Sequence, residues 1–342
     1  MKQNINWGII GLGKIATKFA ESFNGLKNAK LISISSKNQN KLKKFKEKLQ
    51  INQKYCFDNY EDLLNCNDVD IVYIALPNSL HHEWIIKCIE NKKNILVEKP
   101  ATINLDEIED IKIKLNNKKL FFTEAFMYRY APHMSEIIKL IKKDKIGRPV
   151  SMESNFGKNI LIKKNIFGFN KKKKLDKENR IYNKKLGGGA ILDLGCYPVS
   201  LSTLIASTFS KVNYDKIKIL KKSKEIDITD VDIDSYAKLK FEKNFISEVR
   251  ASFSRDLGNT TIVTGTKGKI TIKNTWHANP AIIILDGKTN QKQKIDCKNN
   301  IYSYEIEFIS KSILNKDIEP KFPNLSIDEI IGNTKILDKW LS

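Results

Sequence analysis

Short apolar segments alternate with amphipathic stretches along the first 124 residues of the chain. The stretch after the first apolar segment has Ile15, Phe19 and Phe23 at helical spacing, so that one face of a helix would be apolar. This repeated order of strand and helix predicts a doubly wound parallel sheet. The predicted strands cover residues 5–10, 30–35, 70–75, 94–97 and 120–122.

The turn between the first strand and its helix, residues 11–16, has the pattern G-x-G-x-x-A. Gly11 permits a tight turn, Gly13 lets the backbone approach a pyrophosphate, and Ala16 lets the helix lie close to the sheet. The amino terminus of the helix adds unpaired N–H groups and a favourable dipole. The predicted dinucleotide-binding residues here are Gly11, Leu12, Gly13, Lys14 and Ile15.

The end of the second strand indicates which dinucleotide is preferred. An NAD site usually places Asp or Glu there to bind the ribose 2′-hydroxyl, whereas this chain has Ser36 and Lys37. Ser36 can donate a hydrogen bond to a 2′-phosphate, and Lys37 can neutralise its charge. We therefore predict NADP(H) rather than NAD(H), the alternative being a polar loop that merely lacks an acid.

The carboxyl ends of the third and fourth strands should also face the ligand, because ligands of open α/β sheets bind beyond the strand ends. Lys99 would then direct its ammonium group toward a bound molecule. The predicted cofactor contacts at these ends are Pro77, Asn78, His81, Glu98 and Lys99. Two plainer interpretations stay open: a helix start capped by Ser79, and an exposed lysine before the turn-forming Pro100.

The length of 342 residues leaves room for a second domain after the parallel sheet. We predict a cofactor-binding domain over residues 1–124 and a second domain over 125–342, with a helix near 134–144 and a strand near 149–156. Arg129 lies among aromatic residues where the chain enters the second domain, and could reach both ligands. A salt bridge with Glu124 is the alternative.

A glycine-rich segment, residues 187–198, is the second strong signal. Its three consecutive glycines allow the backbone close to a ligand. Asp193 and Tyr197 are four residues apart, which places both side chains on one face of a helix, where an acid and a phenol can serve proton transfer. Pro198 should bend such a helix. The alternative is an Asp that caps a helix and a Tyr that packs at its edge.

Composition narrows the class of protein further. The chain is 41% hydrophobic and 29% charged, with 60 basic and 39 acidic residues and a formal charge of +21. The lysines are spread over nearly every helix and loop, so we predict neither a nucleic-acid nor a membrane partner, although the run 171–174 leaves weak polyanion binding open. Five cysteines without C-x-x-C spacing, no signal peptide and no bilayer-length apolar stretch predict a cytoplasmic protein. The four histidines show no metal-ligand spacing, so we predict no metal.

Several motifs in one order resemble the glucose-fructose oxidoreductase / inositol dehydrogenase / rhizopine catabolism (Gfo/Idh/MocA) family, with nearer similarity to its dimeric dihydrodiol dehydrogenase and NADP-dependent D-xylose dehydrogenase branch. The resemblance extends to residues 262–270, Trp276 and Tyr304-Glu305, and so covers nearly the whole chain. It implies an N-terminal Rossmann domain and a C-terminal α/β domain with an open, mostly antiparallel sheet that commonly forms a dimer. The motifs are residues 11–16, Pro77-Asn78, Glu98-Lys99-Pro100, 124–129 and 187–197.

The resemblance also implies roles for individual residues. Lys99 corresponds to the family's lysine, and Tyr197 stands at the acid/base position, where the inositol dehydrogenase branch has histidine. Tyr197 would then exchange a hydroxyl proton during hydride transfer, while Lys99 polarises the oxygen and Asp193 orients the substrate. The implied substrate is a sugar, cyclic polyol or dihydrodiol. Its predicted contacts are Arg129, Arg180, Asn183, Asp193 and Tyr197.

Residues 157–186 are Lys-rich and depart from the family pattern, so an acidic sugar or a sugar phosphate stays open as the substrate. Two other classes of function also stay open. A non-catalytic redox sensor or regulator would bind NADP(H) without turnover, and a scaffold protein would need neither site.

Overall fold

The structure is a computed structural model, and it describes residues 3–164, 170–172, 175–288, 290–297 and 299–342. Of the basic run 171–174, Lys173 and Lys174 lie outside the described residues. The chain forms two compact units. The first combines Met1–Ala131 with Lys298–Ile331, and the second combines Pro132–Cys297 with Gly332–Ser342.

Strands and helices are numbered in chain order. The strands are β1 Ile5–Ile10, β2 Ala29–Ser35, β3 Cys56–Phe57, β4 Ile71–Ile74, β5 Asn94–Glu98, β6 Phe122–Ala125, β7 Pro149–Gly157, β8 Ile162–Lys164, β9 Asn170–Lys172, β10 Lys218–Ile226, β11 Asp232–Lys240, β12 Ile246–Ser252, β13 Thr260–Gly265, β14 Lys269–Lys273, β15 Ala281–Asp286 and β16 Gln291–Ile295. The helices are α1 Lys14–Glu21, α2 Gln39–Leu49, α3 Tyr60–Asn65, α4 His81–Glu90, α5 Leu105–Leu115, α6 Pro132–Lys142, α7 Cys196–Ser207, α8 Ile301–Leu314 and α9 Ile327–Leu341.

The first unit contains a parallel sheet in the strand order β3-β2-β1-β4-β5-β6. Its central strands are continuous apolar segments because helices cover both faces, and Trp7, Ile9 and Ile10 of β1 are fully buried. Asn38, Asn59 and Asn104 cap α2, α3 and α5 with their side chains. The predicted doubly wound sheet is confirmed. The last predicted strand, 120–122, is observed two to three residues later, and the two-residue strand β3 was not predicted.

The C-terminal part of the chain returns to the first unit, which differs from the predicted division between residues 124 and 125. Ile306 and Ile309 of α8 belong to the same buried apolar cluster as Trp7. Trp7 Nε1 donates to Ser310 Oγ at 2.9 Å, and Ser303 Oγ donates to the carbonyl of Ser22 at 2.8 Å. The apolar face of α8 therefore completes a core that the first 124 residues leave open.

The second unit contains a sheet in the order β10-β11-β12-β7-β13-β14-β15-β16. Its strand pairs are antiparallel apart from β7 with β12, so the predicted open, mostly antiparallel sheet is confirmed. Helix α7 is buried along nearly its whole length, and it packs against β7 and β12. The predicted helix near 134–144 and strand near 149–156 correspond to α6 and β7.

One helical stretch meets the length and hydropathy of a membrane span. Among the described residues this stretch is Lys184–Ser207. Of its most apolar 18-residue window, 89% is buried inside the protein. The prediction that no apolar segment reaches that length was therefore wrong. Burial against the sheet of the second unit accounts for the apolar character of the stretch.

Candidate active site

The glycine turn of the first unit has the form that a dinucleotide site needs. Gly11 has φ +87°, and a Cβ atom there would lie 2.6 Å from the carbonyl oxygen of Ala75, so the position admits only glycine. At Gly13, by contrast, a Cβ would meet no described atom within 4 Å. Within the described part of the chain, no side chain caps the start of α1 and no acid stands in its first turn. The open backbone and the positive helix end fit a pyrophosphate.

The side chains around this turn differ in exposure. Leu12 is buried in the apolar cluster, Ile15 is half-buried, and Lys14 is exposed. Leu12 can therefore offer a ligand only its backbone, whereas Lys14 can offer a charge.

The end of β2 presents one cation and no acid. Ser36 is buried and its hydroxyl accepts a hydrogen bond from the N–H of Asn38 at 3.2 Å, which leaves its own proton able to donate. Lys37 is exposed, with Nζ 5.6 Å from the ring centre of Tyr60. Ser36 and Lys37 stay predictions as contacts of a 2′-phosphate.

The loop after β4 gives His81 a different role from the predicted cofactor contact. The side chain is fully buried, and its two ring nitrogens contact backbone carbonyl oxygens: Nδ1 lies 2.9 Å from that of Pro100, and Nε2 lies 3.0 Å from that of Leu76. Both nitrogens are therefore used inside the protein. Pro77 and the buried Asn78 begin the one-turn helix Asn78–Leu80, and Ser79 does not cap α4.

Lys99 follows directly on the carboxyl end of β5 and is half-buried. The preceding Glu98 accepts a hydrogen bond from the hydroxyl of Tyr73 on β4. Burial and the charge of Glu98 raise the pKa of Tyr73 well above its usual value, so the phenol keeps its proton and donates. This hydrogen bond joins β4 and β5 just before Lys99.

Two buried acids lie near this strand end. Glu124 Oε1 accepts from the N–H of Ala101 at 2.9 Å, and burial raises the pKa of Glu124 to about 7, against the opposing effects of that bond and of the Arg129 and Lys99 charges. Glu305 of α8 is fully buried, and neither carboxyl oxygen has a hydrogen-bond partner among the described residues. Burial, and next the charge of Glu98, raise the pKa of Glu305 well above its usual value.

Sequence reasoning did not single out Tyr73, Glu124 or Glu305 as site residues. A signal was present for Glu305, because Ile301, Glu305 and Ile309 are spaced four apart and share one helix face. An acid between two apolar residues on one helix face indicates a carboxyl group that is buried with them.

Arg129 is a structural residue rather than the predicted substrate contact. Its side chain is fully buried, Nε donates to the carbonyl of Pro323 at 2.8 Å, and Nη2 lies 3.3 Å from Glu329 Oε1. The alternative partner, Glu124, is wrong as a direct ion pair. Arg129 acts on it only by charge, as one of the influences that lower the Glu124 pKa.

In the second unit, glycines and a buried acid shape the start of α7. Gly189 has φ +113°, and a Cβ atom there would lie 2.3 Å from Asp232 Oδ1. The other oxygen of Asp232 accepts from the N–H of Ile191 at 2.8 Å. A π-helical turn, Ile191–Gly195, then leads into α7, whose first turn contains Pro198. The helix bend predicted at Pro198 is therefore a wide helical turn before the proline. The contact of Asp232 with this turn was not predicted.

The predicted substrate contacts of this unit differ in how they are engaged. Arg180 Nη1 lies 3.4 Å from Asp193 Oδ1, with side chains 48% and 17% exposed. Asn183 donates to the carbonyl of Lys177 at 2.8 Å and accepts from the N–H of Leu186 at 3.3 Å. Both ends of the Asn183 amide hold its own loop together, which replaces the predicted substrate contact with a structural role. Arg180 and Asp193 stay predictions as substrate contacts.

Tyr197 lies in a cluster of aromatic rings. Its ring meets Phe156 of β7 edge-on at 5.1 Å and Trp276 at 5.6 Å, and Trp276 Nε1 donates to the carbonyl of Asn155 at 3.0 Å. The phenol is 6% exposed. The aromatic residues that contact Tyr197 are far apart in the chain. The contact with Phe156 was not predicted.

Family models match both parts of the chain. Residues 5–126 match the oxidoreductase family with an NAD-binding Rossmann fold, and residues 134–271 match the GFO/IDH/MocA C-terminal domain. The chain belongs to the Gfo/Idh/MocA oxidoreductase family. The predicted family and class of enzyme are confirmed, and Gly11, Gly13 and Lys99 all lie within the matched Rossmann segment.

Relatives of this Gfo/Idh/MocA chain include trans-1,2-dihydrobenzene-1,2-diol dehydrogenases. The one from Xenopus tropicalis is 26% identical over 98% of this chain and 96% of its own length, and the human one is 24% identical over 79% and 75%. An aldose-aldose oxidoreductase from Caulobacter crescentus, solved with glycerol, has the same fold with a TM-score of 0.84 at 20% identity, covering 98% and 96% of the two chains. A 3-ketoreductase from Actinomadura kijaniata, solved with NADP and TDP-benzene, has a TM-score of 0.81 at 19% identity with the same coverage.

Proposed function

We propose that this chain is an NADP-dependent dehydrogenase that transfers hydride between the nicotinamide and a secondary or anomeric hydroxyl of a sugar, cyclic polyol or dihydrodiol. One observation carries the proposal: in a Gfo/Idh/MocA chain, Lys99 follows the carboxyl end of β5, Asp193 lies in the π-helical turn before α7, and Tyr197 lies in the first turn of α7. The diol dehydrogenases that align over nearly the whole chain support the class of reaction.

The cofactor preference rests on the end of β2. Lys37 is exposed and cationic, and Ser36 keeps a proton to donate, whereas residues 35–38 contain no acid that would repel a 2′-phosphate. The open backbone at Gly13 and the start of α1 would hold the pyrophosphate. Together these residues fit NADP(H).

When bound, the nicotinamide supplies a ring carbon that accepts or returns the hydride. In the oxidative direction, the C–H bond of the substrate breaks with its electron pair, and the hydroxyl proton passes to the Tyr197 phenolate oxygen. Lys99 donates a hydrogen bond to the same substrate oxygen, and Asp193 orients a second hydroxyl. A free phenol has a pKa of about 10, and in this proposal a lysine ammonium group at the substrate oxygen favours the ionised form. In the reductive direction Tyr197 returns the proton.

The surroundings of Tyr197 favour a ring-shaped substrate. The half-buried Phe156 offers an apolar contact to the face of a cyclic diol or pyranose, and the fully buried Trp276 stacks on Phe156. Arg180 and Asp193 offer polar contacts to the hydroxyls of the substrate. The exposed Lys184 and Arg180 lie in the basic segment 157–186, parts of which are outside the described residues. An acidic or phosphorylated sugar is the variant of the proposal that this segment supports.

We also propose a homodimer or higher homo-oligomer in the cytoplasm, with no nucleic-acid or membrane partner. Half-buried Ile262, Thr271 and Ile284 are register partners in β13, β14 and β15, so two isoleucines flank one threonine in a row across one face of the sheet. Such a row suits burial against a second copy. Light scattering on the protein as it elutes from a size-exclusion column measures the oligomeric mass and tests the proposed homo-oligomer.

The central experiment is a screen of dihydrodiols, aldoses and inositols, with NADP and NAD in parallel, that follows the absorbance of reduced nicotinamide. Substitution of Tyr197 by Phe or of Lys99 by Met should lower kcat by about 10²–10⁴-fold, the usual contribution of general acid–base catalysis. NADPH affinity, measured by fluorescence titration, should change little.

Matched controls are Tyr55→Phe and Lys92→Met, which alter a hydroxyl bonded to Asp68 and an exposed loop lysine. Both should retain wild-type turnover. NADPH binding without turnover across the whole screen would refute the dehydrogenase and favour the regulator, and a higher kcat/KM with NAD would refute the cofactor preference.

A further inference from the structure

The peptide bond between Pro100 and Ala101, one residue after Lys99, is held at both of its polar atoms by buried side chains. Its carbonyl oxygen lies 2.9 Å from His81 Nδ1, and its N–H donates to Glu124 Oε1 at 2.9 Å. The peptide is enclosed as well as bonded, because His81, Ala101 and Glu124 are at most 3% exposed. Both side chains come from other elements, α4 and β6.

His81 also ties this peptide to a second loop. Its Nε2 lies 3.0 Å from the carbonyl oxygen of Leu76, in the segment that follows β4. Both partners of the ring are carbonyl oxygens, which only accept, so the protonated imidazole donates to both and the neutral ring to one of them. The histidine therefore bridges the segments that follow two neighbouring strands, at the edge of the sheet where ligands of such folds bind.

Glu124 can keep its bond in either ionisation state, because a protonated carboxyl group still has an oxygen that accepts. This matters near neutral pH, since burial raises the pKa of Glu124 to about 7. The geometry that joins Glu124 to Ala101 does not depend on the carboxylate being charged.

We propose that His81 and Glu124 are positioning residues for Lys99: they clamp the Pro100–Ala101 peptide and so set the backbone from which the lysine reaches the substrate. The inference rests on the proposed function, in which Lys99 polarises the reacting oxygen. Catalysis is sensitive to such support, because a displacement of about 1 Å in a reacting group can cost about 10²-fold in rate. Neither residue touches the substrate in this scheme.

Two conservative variants of His81 separate its two bonds. Asn places an amide N–H₂ near the position of Nδ1 and can keep the bond to Pro100, whereas Gln reaches the position of Nε2 and can keep only the bond to Leu76. We expect His81→Gln to lower kcat by roughly 10–100-fold, with KM and the NADPH dissociation constant within about threefold of wild type. His81→Asn should recover most of the lost kcat.

His82 provides the matched control. It is the next residue on α4, and its Nε2 lies 2.8 Å from Asp110 Oδ2 with 32% of its side chain exposed. His82→Gln should leave kcat and KM unchanged. For Glu124, the Gln variant keeps an acceptor oxygen and should retain kcat, whereas the Leu variant removes it and should lose kcat as His81→Gln does.

Hydrogen exchange of the Ala101 amide tests the clamp without any substrate. Exchange should be faster in His81→Gln and Glu124→Leu than in wild type, in His81→Asn and in His82→Gln. If the substrate screen yields no turnover, the proposed function fails while this measurement still decides the clamp. Unchanged exchange in Glu124→Leu overturns it. So does equal loss of kcat in His81→Asn and His81→Gln, or a lowered melting temperature with undiminished kcat, which would indicate a purely structural role.

Discussion

At the scale of single residues, burial of a carboxyl group costs free energy unless hydrogen bonds or a cation compensate for it, and the first unit contains two acids that differ in this respect. Glu124 accepts a backbone hydrogen bond and is influenced by the Arg129 and Lys99 charges. Glu305 has no hydrogen-bond partner among the described residues, and the charge of Glu98 that acts on it has the same sign. Glu305 should therefore retain its proton at pH values where exposed carboxyl groups have lost theirs.

This difference predicts a pH-dependent effect of Glu305→Gln on stability. The pKa of Glu305 is higher in the folded protein than in the unfolded chain, so the folded state binds more protons and wild-type stability falls as pH rises from the usual carboxyl pKa through the folded one. Glutamine does not titrate. The melting temperature of Glu305→Gln relative to wild type should therefore increase between pH 5 and pH 8, by about 2–4 °C for each kcal/mol involved.

Glu307→Gln is the control for that measurement, because Glu307 lies on the same helix and is exposed. Its difference from wild type should stay constant with pH. The cost of burying the glutamine amide of Glu305→Gln is the same at each pH, so it cancels when melting-temperature differences at two pH values are compared. A Glu305→Gln difference that does not change with pH would show that Glu305 ionises normally in the folded protein.

At the scale of elements, the turn between β1 and α1 assigns different tasks to its two glycines. Gly11 is confined by the backbone of Ala75 and by its positive φ, whereas the space around Gly13 is open in the described structure. The first glycine is needed by the fold, and the second by the ligand.

Alanine substitutions should separate these tasks. Gly11→Ala should lower the melting temperature of the protein without cofactor, because the new methyl group meets a carbonyl oxygen and positive φ is strained, at a cost of about 1–3 kcal/mol or more. Gly13→Ala should leave that temperature within about 2 °C and weaken NADPH binding by about tenfold or more, which is 1.4 kcal/mol. Thermal unfolding and fluorescence titration measure the two effects, and a stable, tightly binding Gly11→Ala would contradict the assignment.

At the scale of the whole molecule, each unit is built from two separate parts of the chain. Helix α8, near the end of the sequence, supplies Ile306 and Ile309 to the core of the cofactor-binding unit. Helix α9 continues across the point where the chain returns to the second unit, in which Trp340 is buried and donates to the carbonyl of Tyr236 at 3.1 Å.

Ile306→Ala should therefore destabilise the cofactor-binding unit although it lies some 180 residues beyond the predicted boundary at 124/125. A buried isoleucine truncated to alanine costs about 2–5 kcal/mol, measurable by urea unfolding with NADPH fluorescence as the probe. Ile113→Ala is the control, because Ile113 is 71% exposed on α5 and its loss should cost little. Equal stability of the two variants would show that α8 is not part of this core.

Much of this protein follows from local patterns. Ile9 and Ile10 follow strand periodicity and Gly11 lies in a positive-φ turn, and both patterns are properties of a few consecutive residues. The parallel sheet, the glycine turn and the family were therefore readable from the chain. The position of Lys99 at the end of β5 was predictable as well, and its catalytic role stays a prediction.

Other features depend on which distant residues meet, and a linear pattern does not contain that information. Three contacts show this. Arg129 pairs with Glu329, His81 contacts two carbonyl groups on other segments, and α8 returns to the first unit. Each joins segments that are remote in sequence or on separate elements. Side-chain charge and hydrogen-bonding capacity limit the possible partners, but packing selects among them. For this reason His81, Arg129 and Asn183 were predicted as ligand contacts, whereas the structure gives each of them partners within the protein.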